Sequence, residues 1–269
     1  MIDLVALDLD GTLIGDDLVV SPRVRRAIQA VQDRDVTVTL ATGRMHAFAV
    51  PFAHELHLTA PLISYQGALI CPADSDAPLY RVTMSRDLMR EALDWQIERG
   101  WQVVLFANGA AYVADRRRPQ EFYRELVGEH SIWVDDLRDV LVDYDPMKFI
   151  VFVKPDTGAQ IEAELRDRFG DRIAVTRSHA LIVEGNPLNV SKGDALRWLA
   201  GYLGVHQSAV MAIGDQDNDA PMLSWAGLGV AMGNGSAATR DVADWVAPAL
   251  DDDGVAVALE RFVLNTPPG

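Results

Sequence analysis

The chain has 269 residues, 49% of them hydrophobic, which is enough for one large domain or two modest ones. Its formal net charge of −15 at pH 7 disfavours nucleic acid and anionic membrane as partners, although a locally positive site could still take a small anion. Neither a membrane-spanning apolar stretch nor a secretory signal is expected. A single cysteine, Cys71, excludes internal disulfides and fits a reducing compartment, so we predict a cytoplasmic protein.

Apolar runs alternate with segments of helical period near both ends of the chain, which predicts βαβ units and a parallel sheet. We predict core strands at residues 4–7, 36–40, 62–64, 210–213, 227–230 and 245–247. We predict core helices at residues 22–33, 45–56, 193–203, 220–226 and 255–262. The predicted fold class is therefore α/β, with a doubly wound parallel-sheet core.

The middle of the chain has a different pattern. Helices are predicted at 85–99, 119–127 and 156–169, a strand at 148–153, and hairpins at 102–114 (around Asn108-Gly109) and 173–183. Because core-type motifs occur both before and after this region, we predict an inserted α+β domain at residues 83–187. The core is then discontinuous and is formed by residues 1–82 and 188–269.

Two carboxylates, Asp8 and Asp10, follow the first predicted strand and precede Gly11. Acidic groups this close to a core cost free energy unless a cation, such as a divalent metal ion, compensates them. A carboxylate at a strand end can attack phosphorus, and a second one nearby can protonate the leaving oxygen. Taken alone, the motif is equally compatible with a strand that ends in an Asp-Gly turn.

Thr42, Gly43 and Arg44 follow the second predicted strand. A strand, a small turn and a helix start offer backbone N–H groups to an anion, and Arg44 adds positive charge. The alternative is a Thr that only caps the next helix.

Lys192 lies in the first turn of a predicted helix, where the helix dipole mildly disfavours a cation. A partner anion, such as a carboxylate with a phosphate, would explain it. A solvated lysine remains the alternative.

The last motif, Gly214 to Asp219, follows the strand at 210–213 and contains Asp215, Asn218 and Asp219. Carboxylate oxygens at a strand end suit Mg²⁺, whereas the ligand spacing of a calcium EF-hand is missing. An acidic helix start capped by Asp219 would explain that residue but not the whole cluster.

These four motifs, in this order, resemble those of the haloacid dehalogenase superfamily. Residues 184–193 and 214–222 resemble the Cof-type sugar-phosphate phosphatases within it. The resemblance covers essentially the whole chain. It implies a Mg²⁺-dependent phosphatase, a phosphoric monoester hydrolase acting on a small phosphorylated metabolite, with an inserted cap domain on the doubly wound core.

The resemblance also implies roles for individual residues. Asp8 is the nucleophile that becomes an aspartyl phosphate, and Asp10 is the general acid and base. The implied substrate- and phosphate-binding residues are Thr42, Gly43, Arg44, Lys192 and Asn218. The implied metal-binding residues are Asp8, Asp10 (through its backbone carbonyl), Asp215 and Asp219.

Two points of detail and three other functions remain open. Arg44 is either a substrate contact or a structural residue, and Gln66-Gly67 stands where Cof-type members often have Asn-Gly. The alternatives are a phosphomutase or phosphotransferase, a non-catalytic metabolite-binding regulator, and a dehalogenase. The complete motif set argues against the regulator, and Asp10 argues against the dehalogenase. We expect a monomer or a weak homodimer.

Overall fold

The computed structural model describes residues 1–75, 77–127, 130–179 and 181–265. Its strands are β1 (Leu4–Leu7), β2 (Thr37–Leu40), β3 (Leu62–Ser64), β4 (Leu69–Cys71), β5 (Tyr80–Arg81), β6 (Gln102–Ala107), β7 (Ala110–Val113), β8 (Ser131–Trp133), β9 (Pro146–Phe152), β10 (Ile173–His179), β11 (Ile182–Pro187), β12 (Val210–Gly214), β13 (Leu228–Ala231) and β14 (Trp245–Val246). Its α-helices are α1 (Pro22–Gln32), α2 (His46–Glu55), α3 (Arg86–Glu98), α4 (Gln120–Val127), α5 (Leu137–Asp143), α6 (Gly158–Phe169), α7 (Lys192–Leu203), α8 (Ala220–Trp225), α9 (Ala237–Val242) and α10 (Gly254–Leu259). Within the described ranges, no helix has both the length and the apolar character needed to cross a membrane.

The chain divides into two compact units. The core unit consists of Met1–Tyr80 and Ser191–Gly269, and the inserted unit is the intervening segment Arg81–Val190. The sequence pattern predicts domain limits after residues 82 and 187.

A parallel sheet forms the centre of the core unit, with the strand order β14-β13-β12-β1-β2. On β1, Val5 and Leu7 join an apolar cluster with α1, α2 and α10, while Leu4 and Ala6 join another with α7 and α8. Successive side chains of a strand point to opposite faces, so helices cover both faces of the sheet. The predicted α/β class with a doubly wound core is confirmed.

Two helices of the core unit, α1 and α7, begin at capping residues that the sequence shows. At α1 the Ser21 hydroxyl accepts a hydrogen bond from the backbone N–H of Val24, and Pro22 occupies the first helical position. At α7 the Ser191 hydroxyl accepts from the N–H of Asp194. Such caps satisfy N–H groups that have no partner inside the helix.

The third predicted core strand, β3, pairs differently from the others. It lies in a separate three-stranded sheet of order β3-β4-β5, and one parallel bridge, from Ala41 to Ile63, joins it to the end of β2. The chain turns back directly after Ser64 through left-handed conformations at Tyr65, Gln66 and Gly67. β3 then pairs antiparallel with β4.

The inserted unit contains a sheet of order β10-β11-β9-β6-β7-β8, in which only the described pair β7–β8 is parallel. Helices α3, α5 and α6 share one apolar cluster with strand residues such as Phe149 and Val151.

The hairpin with its turn at Asn108-Gly109 is confirmed. The turn of the second hairpin includes Ala180, which lies outside the described residues. Strand β8 and helix α5 are too short to give a clear periodic signal and were not predicted.

Candidate active site

The motifs of the core unit meet at one edge of its parallel sheet. Asp8 directly follows β1, Thr42 follows β2 after one residue, and Asp215 directly follows β12. Because β1 pairs in parallel with both β2 and β12, the three strands end at the same edge. This edge is where open α/β sheets bind ligands.

Lys192, the first residue of α7, connects two of these acidic residues. Its Nζ lies 2.5 Å from Asp8 Oδ1 and 2.5 Å from Asp219 Oδ1, and its side chain is 1% exposed. The alternative of a solvated lysine is therefore wrong. Although burial lowers the pKa of Lys192, the charges of Asp219 and Asp8 outweigh it and raise that pKa above its usual value.

Asp219 folds back onto its own loop rather than pointing into solvent. Its Oδ2 accepts hydrogen bonds from the backbone N–H groups of Asp215 and Gln216, both at 3.0 Å. A side chain at Gly214 would overlap Asp219, so only glycine fits there. The loop thus fixes Asp219 through one oxygen and leaves the other to Lys192.

Asp215 is held against the first motif. Its Oδ1 accepts a hydrogen bond from Thr12 Oγ1 at 3.2 Å, and its Oδ2 accepts one from Gln216 Nε2 at 2.8 Å. Gly11 has a φ of +79°, and a Cβ at this position would overlap the Asp215 carboxylate. The turn after Asp10 therefore needs glycine both for its conformation and for this approach.

Asp8, Asp215 and Asp219 form a buried group that we call the acidic cluster. One oxygen from each lies within 4.8 Å of the others, so the three residues could hold a metal ion. Burial raises the pKa of Asp8 well above its usual range, with Asp219 adding to the effect, and burial raises the pKa of Asp215 to about 6. Three ionised carboxylates with one lysine leave two negative charges, which a divalent ion would balance. An all-oxygen donor set fits a hard cation of this kind.

The carboxylate of Asp10 is not part of the acidic cluster. It forms a two-pronged ion pair with Arg44, whose Nη2 lies 2.5 Å from Oδ1 and whose Nε donates to Oδ2 at 2.8 Å. The Asp10 side chain is 44% exposed, and the Arg44 guanidinium lies 3.8 Å from the centre of the Phe48 ring. Contact between the Asp10 backbone carbonyl and a metal remains a prediction.

Thr42 is fully buried and does not cap the following helix. Its Oγ1 accepts a hydrogen bond from the backbone N–H of Arg44 at 3.1 Å, whereas α2 starts only at His46, with Met45 as its N-cap. The capping alternative is therefore wrong, and the second motif forms a short turn of its own between β2 and α2.

Three polar residues of this site make contacts that the sequence did not predict. Thr12 and Gln216 donate to Asp215, and Gln66 accepts a hydrogen bond from Asn218 Nδ2 at 2.8 Å. Thr12 and Gln216 stand next to motif residues in the chain, and this proximity could have indicated that they belong to the site. Gln66 is remote from Asn218 in sequence. The sequence feature that could have drawn attention to it is that Gln66-Gly67 stands where Cof-type members often have Asn-Gly.

The fold and the site define an α/β protein with an inserted unit and a candidate site for a metal ion and an anion, in which buried carboxylates surround a lysine at the strand ends. Residues 5–259 match the family model described as haloacid dehalogenase-like hydrolase. The chain therefore belongs to the haloacid dehalogenase-like hydrolase family. The predicted enzyme class, a phosphatase of this family, is confirmed by this match and by relatives named as phosphatases.

Among curated relatives, two proteins of Bacillus subtilis named 5-amino-6-(5-phospho-D-ribitylamino)uracil phosphatase are each 30% identical to the chain. One, YitU, aligns over 96% of this chain and 97% of its own length. The other, YcsE, aligns over 98% of this chain and 96% of its own length.

Solved structures of similar proteins share the whole fold. A haloacid dehalogenase-like hydrolase from Bacteroides thetaiotaomicron has a TM-score of 0.86 at 27% identity, covering 97% of this chain and 99% of that one. A protein from Thermotoga maritima has a TM-score of 0.86 at 25% identity, covering 97% of this chain and 98% of that one.

Proposed function

We propose that the protein is a Mg²⁺-dependent phosphatase that hydrolyses a small phosphorylated metabolite through an aspartyl phosphate on Asp8. The observation that carries the proposal is the buried arrangement of Asp8 and Asp219 around Lys192, with Asp215 within metal-binding distance. A purely structural ion pair would not need a third buried carboxylate, because each further charge adds a desolvation cost.

In the proposed first step, an Asp8 oxygen attacks the phosphorus atom of the substrate. The new P–O bond to Asp8 forms as the ester P–O bond breaks, and Asp10 gives its proton to the leaving oxygen. In the second step, Asp10 takes a proton from water as the water oxygen attacks phosphorus. The acyl phosphate bond then breaks, which restores the Asp8 carboxylate and releases inorganic phosphate.

The other site residues stabilise charge in this proposal. Lys192 offsets the charge of Asp8 and of the transferring group, and Thr42 and Gly43 donate hydrogen bonds to phosphoryl oxygens. Asp8, the Asp10 backbone carbonyl, Asp215 and Asp219 would hold Mg²⁺, with Asp219 acting mainly by supporting the others. When bound, Mg²⁺ supplies positive charge that lets an anionic phosphate approach these carboxylates.

The proposed substrate is a phosphorylated metabolite similar to a sugar phosphate. Support comes from relatives that are named phosphatases of a ribitylaminouracil phosphate. The net charge of −15 supports the absence of nucleic acid and membrane partners. A cytoplasmic location and a monomer or weak homodimer complete the proposal.

The first prediction is phosphate release that requires a divalent metal. With Mg²⁺ and a panel of phosphorylated sugars, phosphorylated polyols and a ribitylaminouracil phosphate, we expect the wild-type protein to release inorganic phosphate from some members. Excess chelator should abolish this release, because the acidic cluster then repels the substrate, and added Mg²⁺ should restore it. Phosphate release is measured by a colorimetric assay.

Other outcomes of this assay would favour the alternatives. Full activity in excess chelator would contradict the metal requirement. Transfer of the phosphoryl group to a second sugar without release of phosphate would favour a phosphomutase or phosphotransferase. Metabolite binding without any turnover would favour a non-catalytic regulator.

A second prediction concerns Arg44, which we propose acts on Asp10 rather than on the substrate. Arg44→Ala removes charged hydrogen bonds of about 1.5–3 kcal/mol, so kcat should fall roughly 10- to 100-fold while KM changes little. Steady-state kinetics measure both constants. Arg25→Ala, which removes an ion pair with Glu55 elsewhere in the core unit, is the matched control and should have no effect. A raised KM with unchanged kcat would instead make Arg44 a substrate contact.

A further inference from the structure

Gln66 lies in an unusual stretch of backbone beside the second motif. Tyr65, Gln66 and Gly67 have φ values of 52°, 59° and 101°, a left-handed conformation that residues other than glycine rarely adopt. Two hydrogen bonds fix this stretch: Tyr65 N–H donates to the carbonyl of Arg44 at 3.0 Å, and Gln66 N–H donates to the carbonyl of Thr42 at 3.1 Å. Strained residues of this kind cluster at ligand-binding sites.

The side-chain amide of Gln66 is satisfied at one atom only. Its Oε1 accepts a hydrogen bond from Asn218 Nδ2 at 2.8 Å. Its Nε2 is buried and has no hydrogen-bond partner among the described residues, and the whole residue is 6% exposed. A buried donor without an acceptor is costly and rare in folded proteins, so this one requires an explanation.

The unpartnered Nε2 lies directly over Gly43. A Cβ at Gly43 would overlap this atom, so the absence of a side chain in the second motif makes room for the Gln66 amide. With Asn218 Nδ2 donating to Oε1, the donor end of the Gln66 amide faces Gly43. Two motifs, one containing Gly43 and the other containing Asn218, thus hold one neutral donor in place.

We propose that Gln66 Nε2 donates a hydrogen bond to an oxygen of the phosphoryl group, and that Asn218 is a positioning residue that acts through Gln66. The inference rests on the proposed phosphatase function. A phosphoryl oxygen is a strong acceptor and would satisfy the buried N–H. A neutral amide adds this donor without adding a charge that would compete with Lys192 for the nearby carboxylates.

The test compares substitutions that change Nε2 and Oε1 differently. Gln66→Met keeps the length and removes the donor, and we expect kcat to fall about 10²- to 10³-fold, the usual effect of losing one such donor. Gln66→Glu keeps an acceptor for Asn218 but places a carboxylate oxygen near the phosphate, so the loss should be larger. Asn218→Ala should cost less than Gln66→Met, and the double variant should lose little more than Gln66→Met alone.

The binding of orthovanadate and of inorganic phosphate gives a second test, which does not depend on turnover. With Mg²⁺ present, we expect the inhibition constant of orthovanadate and the dissociation constant of inorganic phosphate to rise at least tenfold in Gln66→Met. Calorimetry measures phosphate binding directly. Gln66→Asn, which tolerates left-handed backbone but is one methylene shorter, should keep the melting temperature and still bind vanadate more weakly.

Gln96→Met is the matched control. Gln96 is fully buried in α3 of the inserted unit, its Nε2 donates to the Ala92 carbonyl at 2.8 Å, and its Oε1 has no partner among the described residues. It is therefore a buried glutamine with one satisfied amide atom, remote in sequence from every motif. We expect its kcat and vanadate affinity to match those of the wild type.

The outcomes separate this inference from the proposed function. If Asp8→Asn abolishes turnover while Gln66→Met and Gln66→Asn keep wild-type kcat and vanadate affinity, the inference is overturned and the phosphatase stands. If the wild type shows no turnover but binds phosphate, and Gln66→Met binds it more weakly, the inference stands and the phosphatase fails. Equal phosphate binding by both proteins, or none by either, overturns the inference.

Discussion

Asp8→Asn is expected to abolish phosphate release and, in the absence of metal, to make the protein more stable. The amide cannot form the acyl phosphate, so kcat should fall by roughly 10⁴- to 10⁶-fold, as for other nucleophile removals. Burial and the charge of Asp219 raise the pKa of Asp8, so keeping its carboxylate ionised costs more free energy in the folded protein than in the unfolded chain. The neutral amide should therefore stabilise the metal-free fold by about 1 kcal/mol.

Steady-state assays with Mg²⁺ and thermal melts in excess chelator measure these two effects. Asp3→Asn is the matched control, because Asp3 is an exposed aspartate just before the other end of β1, and neither quantity should change. Residual activity of Asp8→Asn near the wild-type level would exclude Asp8 as the nucleophile. A lower melting temperature would show that its pairing with Lys192 outweighs the desolvation of its charge.

Lys192→Met is expected to be the most destabilising single change in the site. It leaves Asp8 and Asp219 buried without their shared cation, and breaking a buried ion pair in this way typically costs about 3–5 kcal/mol. Turnover should be lost as well, since the nucleophile and the transferring group lose their neutralising charge. Denaturant unfolding and phosphate release are the measurements.

Two comparisons of stability test whether the loss in Lys192→Met comes from the missing positive charge. Adding Mg²⁺ should recover part of the lost stability, because a divalent ion at the acidic cluster replaces the missing positive charge. The double variant Lys192→Met/Asp219→Asn should be more stable than Lys192→Met alone, because it carries one uncompensated buried carboxylate fewer. Lys154→Met, at an exposed lysine, is the control. Equal stability losses with and without Mg²⁺ would contradict this account.

The sequence predicted much of the core unit because the signals there are local. Strand β1 is a fully buried apolar run, and Ser21 and Ser191 mark helix starts with their own side chains. The parallel order of β1, β2 and β12 then brings their carboxyl ends to one edge, where the motif residues follow. The sequence did not predict strands β4, β5 and β8, whose two or three residues give only a weak signal.

The roles implied for site residues by family resemblance remain predictions, but the structure adds contacts on which those roles depend. Sequence alone could not tell a solvated Lys192 from a buried one, nor a capping Thr42 from one that does not cap α2. It also could not show that the Asp10 carboxylate pairs with Arg44 and lies outside the acidic cluster, or that Gln66 faces Gly43.

The sequence by itself determined the α/β class, the strand ends that carry the motifs and the residue types available for phosphoryl chemistry. Each of these depends on neighbours within a few positions of the chain. Only the tertiary structure decided which charges are buried together, because Lys192 and Asp8 are 184 residues apart in sequence and meet only when α7 packs beside β1. Desolvation and pairing of charges depend on such long-range contacts, and they set the chemistry available at the site.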